Sequence, residues 1–193
     1  MIVSMGLIYE LDLLMNAIGQ DSRLNDDEPG AAAYLGLGSN LNDREANLAE
    51  AVARINSAGV KVTRASSIYE TEPVGFAGQP WFLNQVIAVA PRDADAANLL
   101  RLIKTIENEM GRKPSVPNGP RLIDIDLLLL GSLIINRAEL TVPHPRLHSR
   151  RFVLLPLCEI APGLTHPLFG KRCSRLLDEL EDESIVRPFG INR

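Results

Sequence analysis

The chain has 193 residues, a net charge of −4, 46% hydrophobic and 23% charged residues. That is enough for one domain with a substantial core, and the acidic balance speaks against generic nucleic-acid binding. Two cysteines, Cys158 and Cys173, exclude a disulfide framework and fit a reducing cytoplasm; no Cys/His set has zinc-site spacing.

Residues 1–30 begin with an apolar run broken by Glu10 and Asp12 and end in a polar stretch closing on Pro29-Gly30. The run is too short and too acidic to span a membrane. Its first basic residue is Arg23, so it lacks the charged start of a secretory signal. Residues 1–30 therefore read as an extension outside a catalytic domain at 31–193. Residues 31–37 predict a small-residue strand, broken by Gly38-Ser39-Asn40. A helix follows over about 43–58, with Leu48, Val52 and Ile55 at helical spacing, Asn42 or Asp43 as cap and Gly59 at its end. Residues 60–71 read as a second strand and 72–80 as a loop of turn formers.

Residues 81–89 read as the third strand. On it Phe82 and Asn84 share a face by the period of two. An aromatic and an amide on one face can stack a flat polar heterocycle and read its edge; core packing with a capped amide uses the same residues. Residues 95–110 predict a helix with Leu99, Leu102, Ile103 and Ile106 as its apolar stripe and Glu107 near its end. The segment 111–120, with three prolines, two glycines and the cations Arg112 and Lys113, reads as a loop.

Residues 119–131 open as a turn and continue as an apolar strand carrying Asp124 and Asp126. Residues i and i+2 of a strand point to one face. Two anions side by side in a segment that wants burial are costly unless a cation joins them, and paired carboxylates suit Mg²⁺, which keeps waters and takes substrate phosphates as further ligands. On these residues alone, an edge strand whose acids face water or pair with arginines is the alternative. Arg121 stands at the strand's start, close enough to hold a phosphate. A hairpin follows through 131–142. Residues 143–151 hold His144, His148 and three arginines with no acid, dense enough for a polyphosphate partner or a solvated basic loop. Residues 152–160 and 173–181 predict two more helices.

From residue 31 the order is strand, helix, strand, strand, helix, strand. That is the α+β, split βαβ, ferredoxin-like arrangement: a four-stranded antiparallel sheet with helices on one face, plus a C-terminal hairpin and helices.

The run Gly119-Pro120-Arg121-x-x-Asp124-Ile125-Asp126-Leu127-Leu128 resembles the signature of the 6-hydroxymethyl-7,8-dihydropterin pyrophosphokinase family. Gly38-Ser39-Asn40, Thr71-Glu72-Pro73-Val74-Gly75, Phe82-Leu83-Asn84, Glu107 with Gly111-Arg112, and Thr141-Val142-Pro143-His144 with Arg150 extend the resemblance over roughly 32–170. It implies transfer of pyrophosphate from ATP to the pterin's hydroxymethyl oxygen, giving AMP and the pterin diphosphate, a step of folate biosynthesis. It further implies two Mg²⁺ ions on Asp124 and Asp126, and catalytic roles for Arg112, Arg121, Asp124 and Asp126. Pterin contacts would fall on Thr71, Val74, Phe82, Asn84 and Phe152. ATP contacts would fall on Glu107, Arg112, Arg121, Thr141, His144 and Arg150. A cytoplasmic monomer with small-molecule partners only, neither nucleic acid nor membrane, is expected. The chain departs from the pattern at Asn118, where many relatives carry tryptophan, and at Phe82, where others carry tyrosine. A palm-type nucleotidyltransferase would want a basic nucleic-acid track, and an RNA-binding module would want exposed strand aromatics; the charge and the 5% aromatic content disfavour both.

Overall fold

The computed structural model describes residues 32–75, 78–91, 95–112 and 118–190. The reading of 1–30 as an extension, and the middle of the 111–120 loop, lie outside the described residues.

β1 (Ala33–Ser39) leads into α1 (Arg44–Ser57), which starts at Asp43, whose carboxylate accepts the Ala46 N–H at 3.0 Å. β2 (Lys61–Ala65), β3 (Tyr69–Thr71) and β4 (Phe82–Ala90) follow. α2 (Ala96–Glu109) is capped by Asp95, which accepts the Ala97 and Asn98 N–H groups. Then come β5 (Asp124–Leu130), the short pair β6 (Ile135–Asn136) and β7 (Thr141–Val142), α3 (Arg151–Ile160), α4 (Cys173–Asp178) and β8 (Val186–Pro188). Among the described residues, no helix is long and apolar enough to cross a membrane.

The main sheet is antiparallel, in the order β5-β1-β4-β3-β8, with β2 also on β4. Among the described residues it thus has six strands where the sequence predicts four. Two causes account for the difference. The 60–71 segment is divided at Ser66, whose N–H still donates to the Val86 carbonyl at 2.9 Å but whose hydroxyl, not its carbonyl, accepts the Val86 N–H at 3.0 Å and donates to the Ser67 carbonyl at 2.7 Å, so a side chain takes one of the ladder bonds and the strand steps. The second cause is β8, which the sequence reading did not contain; its Pro188 fits an edge position, where no ladder hydrogen is needed.

Helices also cover both faces of the sheet, not one. Alternation splits each central strand between two layers. Ala33, Leu35 and Leu37 of β1 and Leu83, Ile87 and Val89 of β4 pack with Leu48 and Ile55 of α1 and with Leu99, Ile103 and Ile106 of α2. Tyr34, Val86 and Ala88 pack on the other side with Leu154 and Leu157 of α3 and Cys173 of α4. A bulge lets Leu128 and Leu129 of β5 join that second layer together. α3 and α4 cover only part of their face. The remainder, at the Gly36-Gly38 end of β1, is open.

Candidate active site

The open part of that face is the floor of a cleft with about 250 Å³ of free space. In register, Gly38 of β1 lies opposite Asp124 of β5 on one side and Asn84 of β4 on the other, and Gly36 lies opposite Asp126. The glycines leave bare backbone between the acids and the amide. A Cβ at Gly38 would come within 2.9 Å of Asn84 Oδ1, closer than real Cβ contacts.

Around Asp124 the electrostatics are tight. Arg112 Nη1 lies 2.8 Å from one carboxylate oxygen and Arg121 Nη1 2.8 Å from the other. Asp126 is different: among the described residues, the only basic group within 4 Å of it is His144 Nε2, at 3.8 Å. Although 37% of its side-chain surface opens to the cleft, it sits in a concave floor. Burial, and then the neighbouring Asp124 charge, push its carboxyl above the usual carboxylate range. His144 is pushed down to about 4 by burial, then by Arg150 and Arg146, so it is neutral near pH 7 and accepts the Arg146 N–H on Nδ1 at 3.1 Å. Burial and the Arg146 charge likewise lower Arg150. Crowded cations beside two acids leave room for an anion and a metal together.

The donor set fits Mg²⁺. It offers hard carboxylate oxygens, one of them without a charged partner among the described residues. No group of three or more His, Cys, Asp or Glu converges among the described residues, so such an ion would complete its shell with phosphate and water.

On the opposite wall, Asn84 is 8% exposed and its Nδ2 donates to Thr71 Oγ1 at 2.7 Å, which leaves Oδ1 facing the cleft side of Gly38. Phe82 and Phe152 flank it. Arg121 lies over the Phe82 ring at 5.7 Å and Arg150 over Phe152 at 5.3 Å, so each aromatic is tied to a cation of the acidic side.

Most residues singled out in the sequence meet here: Thr71, Val74, Phe82, Asn84 and Phe152 on one side, Arg112, Arg121, Asp124, Asp126, His144 and Arg150 on the other. Two do not line the cleft. Thr141 sits in the β6–β7 pair, its hydroxyl turned to the Arg137 carbonyl. Glu107 has only 2% of its side chain exposed. It points into the protein because three donors hold it there: Arg112, Lys104 at 2.7 Å and the Ile125 N–H at 2.8 Å. It therefore supports the arginine and the backbone between the two aspartates.

The sequence reading did not single out Lys104 and Arg146, which also line the cleft. Lys104 could have been found from its place one helical turn before Glu107, and Arg146 from the acid-free run 143–151. Asn118 has a left-handed backbone, φ 57, a conformation asparagine tolerates better than tryptophan. Its carbonyl accepts Gln79 Nε2 at 2.8 Å, while Gln79 Oε1 accepts the buried Asn40 Nδ2 at 3.0 Å.

Comparison with known proteins agrees with this geometry. The family model for 7,8-dihydro-6-hydroxymethylpterin-pyrophosphokinase (HPPK) matches residues 34–162. The chain belongs to this family. It is 48% identical over 129 residues to the 2-amino-4-hydroxy-6-hydroxymethyldihydropteridine pyrophosphokinase of Bacillus subtilis, covering 66% of this chain and 77% of the relative. It is 39% identical over 159 residues to the Aquifex aeolicus enzyme of the same description, covering 82% and 96%. Folic acid synthesis protein fol1 of Pneumocystis carinii is 38% identical over 160 residues, but the chain spans only 22% of it. Among solved structures, Plasmodium falciparum HPPK-DHPS wild type with pteroate superposes with a TM-score of 0.64 at 16% identity, covering 81% of this chain and 43% of that one; this likeness speaks for the fold. As a member of the HPPK family the chain catalyses the pyrophosphokinase step of folate biosynthesis, with ATP and 6-hydroxymethyl-7,8-dihydropterin as substrates.

Proposed function

We propose that the chain works with two Mg²⁺ ions held by Asp124 and Asp126, with the triphosphate on the arginine side of the cleft and the pterin on the Asn84 side. The observation that carries this is the pair of same-face carboxylates ringed by Lys104, Arg112, Arg121, Arg146 and Arg150. When bound, Mg²⁺ would offset phosphate charge and help align the attacking and leaving oxygens.

The remaining chemistry belongs to the side chains. Arg112 and Arg121 neutralise charge on the transferring group. Arg146, Arg150 and Lys104 hold the phosphates, and neutral His144 can offer them Nε2–H. Asn84, its amide oriented by Thr71, reads the edge of the pterin, and Phe82 and Phe152 stack on it beside Val74. The hydroxymethyl oxygen then attacks the β-phosphorus of ATP, the bond from that phosphorus to the oxygen bridging to the α-phosphate breaks, AMP leaves with that oxygen, and the hydroxyl proton passes to solvent water.

The strand order β5-β1-β4 followed by β2 and β3 supports a ferredoxin-like description with β8 added. The family match at 34–162 and the place of β8 in the sheet support 31–193 as the catalytic domain. A cleft built by one chain favours a monomer, and two free cysteines favour a reducing cytoplasm.

The test is AMP release from ATP and the pterin. It should require Mg²⁺, stop with a chelator, and fall by orders of magnitude in Asp124→Ala and Asp126→Ala. Near-normal turnover in either variant at saturating Mg²⁺ would overturn the assignment.

A further inference from the structure

The segment after α4 is not used by the mechanism, yet it touches both walls of the pterin side. At one end, Asp182 Oδ2 accepts the Arg151 N–H at 2.8 Å, capping α3 between the cleft residues Arg150 and Phe152. Its Oδ1 accepts the Ser184 N–H at 2.9 Å, which turns the chain. Ile185 then exchanges bonds with Glu72: its N–H donates to Glu72 Oε1 at 2.8 Å, and its carbonyl accepts the Glu72 N–H at 3.3 Å. β8 pairs along β3, with Thr71 opposite Val186 and Glu70 opposite Arg187.

The fastening at β3 is ionic as well as backbone. Arg187 donates twice to Glu70 Oε2, at 3.1 and 2.6 Å, and lies over the Trp81 ring at 4.8 Å. Arg44 closes the group from α1, donating to Glu70 Oε1 at 2.9 Å and to the Trp81 carbonyl at 2.8 Å. Glu70 precedes Thr71, and Trp81 precedes Phe82. The charged group thus sits behind the two residues that face the cleft directly across β3 and β4.

We propose that residues 182–189 form a strap that positions the pterin wall, with Asp182 and Arg187 as its positioning residues. β3 is three residues long, too short to hold itself rigidly at a sheet edge. Pairing with β8 keeps the Thr71 hydroxyl under the Asn84 amide, and the Asp182 cap keeps the start of α3, and so Phe152, at a fixed distance from it. Mere covering of a sheet edge would need β8 but not Asp182. The proposal rests on Thr71, Asn84 and Phe152 being the pterin contacts.

The experiment is steady-state kinetics on the full chain carrying Asp182→Ala with Arg187→Ala, beside Asn84→Ala. The pterin KM of the double variant should rise roughly tenfold, while kcat stays within about twofold and the ATP KM rises by no more than about threefold, through Arg150 beside the Asp182 cap. Asp182→Ala with Arg187→Lys should lose less than Asp182→Ala with Arg187→Ala, since a cation again faces Glu70 but without the planar fork. An unchanged pterin KM overturns the strap, as does a parallel rise of both KM values tracking a lowered Tm. If Asn84→Ala raises the pterin KM and the double variant does not, the strap falls and the pterin assignment stands. If neither does, both fall.

Discussion

Gly38→Ala tests how the cleft floor sets pterin recognition. The new Cβ would lie 2.9 Å from Asn84 Oδ1, so the amide must turn. Asn84 is 8% exposed and its bond to Thr71 is 2.7 Å long, so turning strands a buried donor or acceptor. That costs about 1–3 kcal/mol, or roughly a ten- to hundredfold loss of pterin affinity if the amide reads the ring edge. Gly38 does not have a left-handed backbone, so alanine suits the strand and returns about 0.5–1 kcal/mol of chain entropy. The net cost to stability is then about 0–2.5 kcal/mol, a Tm lower by no more than about 10 °C, while pterin binding collapses and ATP binding holds. Calorimetric titration with each ligand measures both. In an Asn84→Ala background the same substitution should cost almost nothing further, because the clashing atom is gone. An undiminished pterin affinity would refute the reasoning, and so would a full additional loss in the Asn84→Ala background, which would place the clash on the ligand instead.

Glu107→Gln puts an amide where three donors converge. One donor must go unpaired, so stability should drop by about 2–4 kcal/mol and turnover should fall with it as Arg112 loses its anchor; scanning calorimetry showing an unchanged Tm would count against the buried hub. Glu159 accepts the Ser67 N–H, the Ser67 hydroxyl and the Tyr69 hydroxyl at 2.8–2.9 Å. Burial opposes its ionisation, but these bonds outweigh it and hold the carboxyl below its ordinary value. The stabilisation should be present above the unfolded carboxyl pKa and fade as pH falls through the lower folded value. Glu159→Gln should then flatten the acid limb of a Tm-against-pH curve, and an acid limb identical to wild type would contradict this.

Much of the site was legible because strand period alone puts Asp124 with Asp126 and Phe82 with Asn84. The capped helices were legible for a similar reason, since Asp43 and Asp95 sit directly before apolar stripes. What was not legible depends on contacts between distant residues. Ser66 interrupts a strand only because its hydroxyl meets Val86. Val186–Pro188 carries a proline and no alternating pattern, so its pairing with β3 has no local signal. The resemblance assigns Glu107 to ATP, whereas its partners Lys104, Arg112 and Ile125 draw it inward. Phe82 gains Arg121 only when β4 and the segment before β5 are brought together on either side of β1, whereas Phe152 has Arg150 two residues before it in the chain.

Metal stoichiometry bears on the paired aspartates without passing through turnover. Mn²⁺ binding can be followed by electron paramagnetic resonance with a non-hydrolysable ATP analogue and the pterin both bound. The wild-type chain should take up about two ions. Asp124→Asn and Asp126→Asn should each lower that number or weaken binding by orders of magnitude, with the nucleotide analogue still bound. Two ions held with wild-type affinity in either variant would contradict the assignment of these carboxylates as the metal ligands.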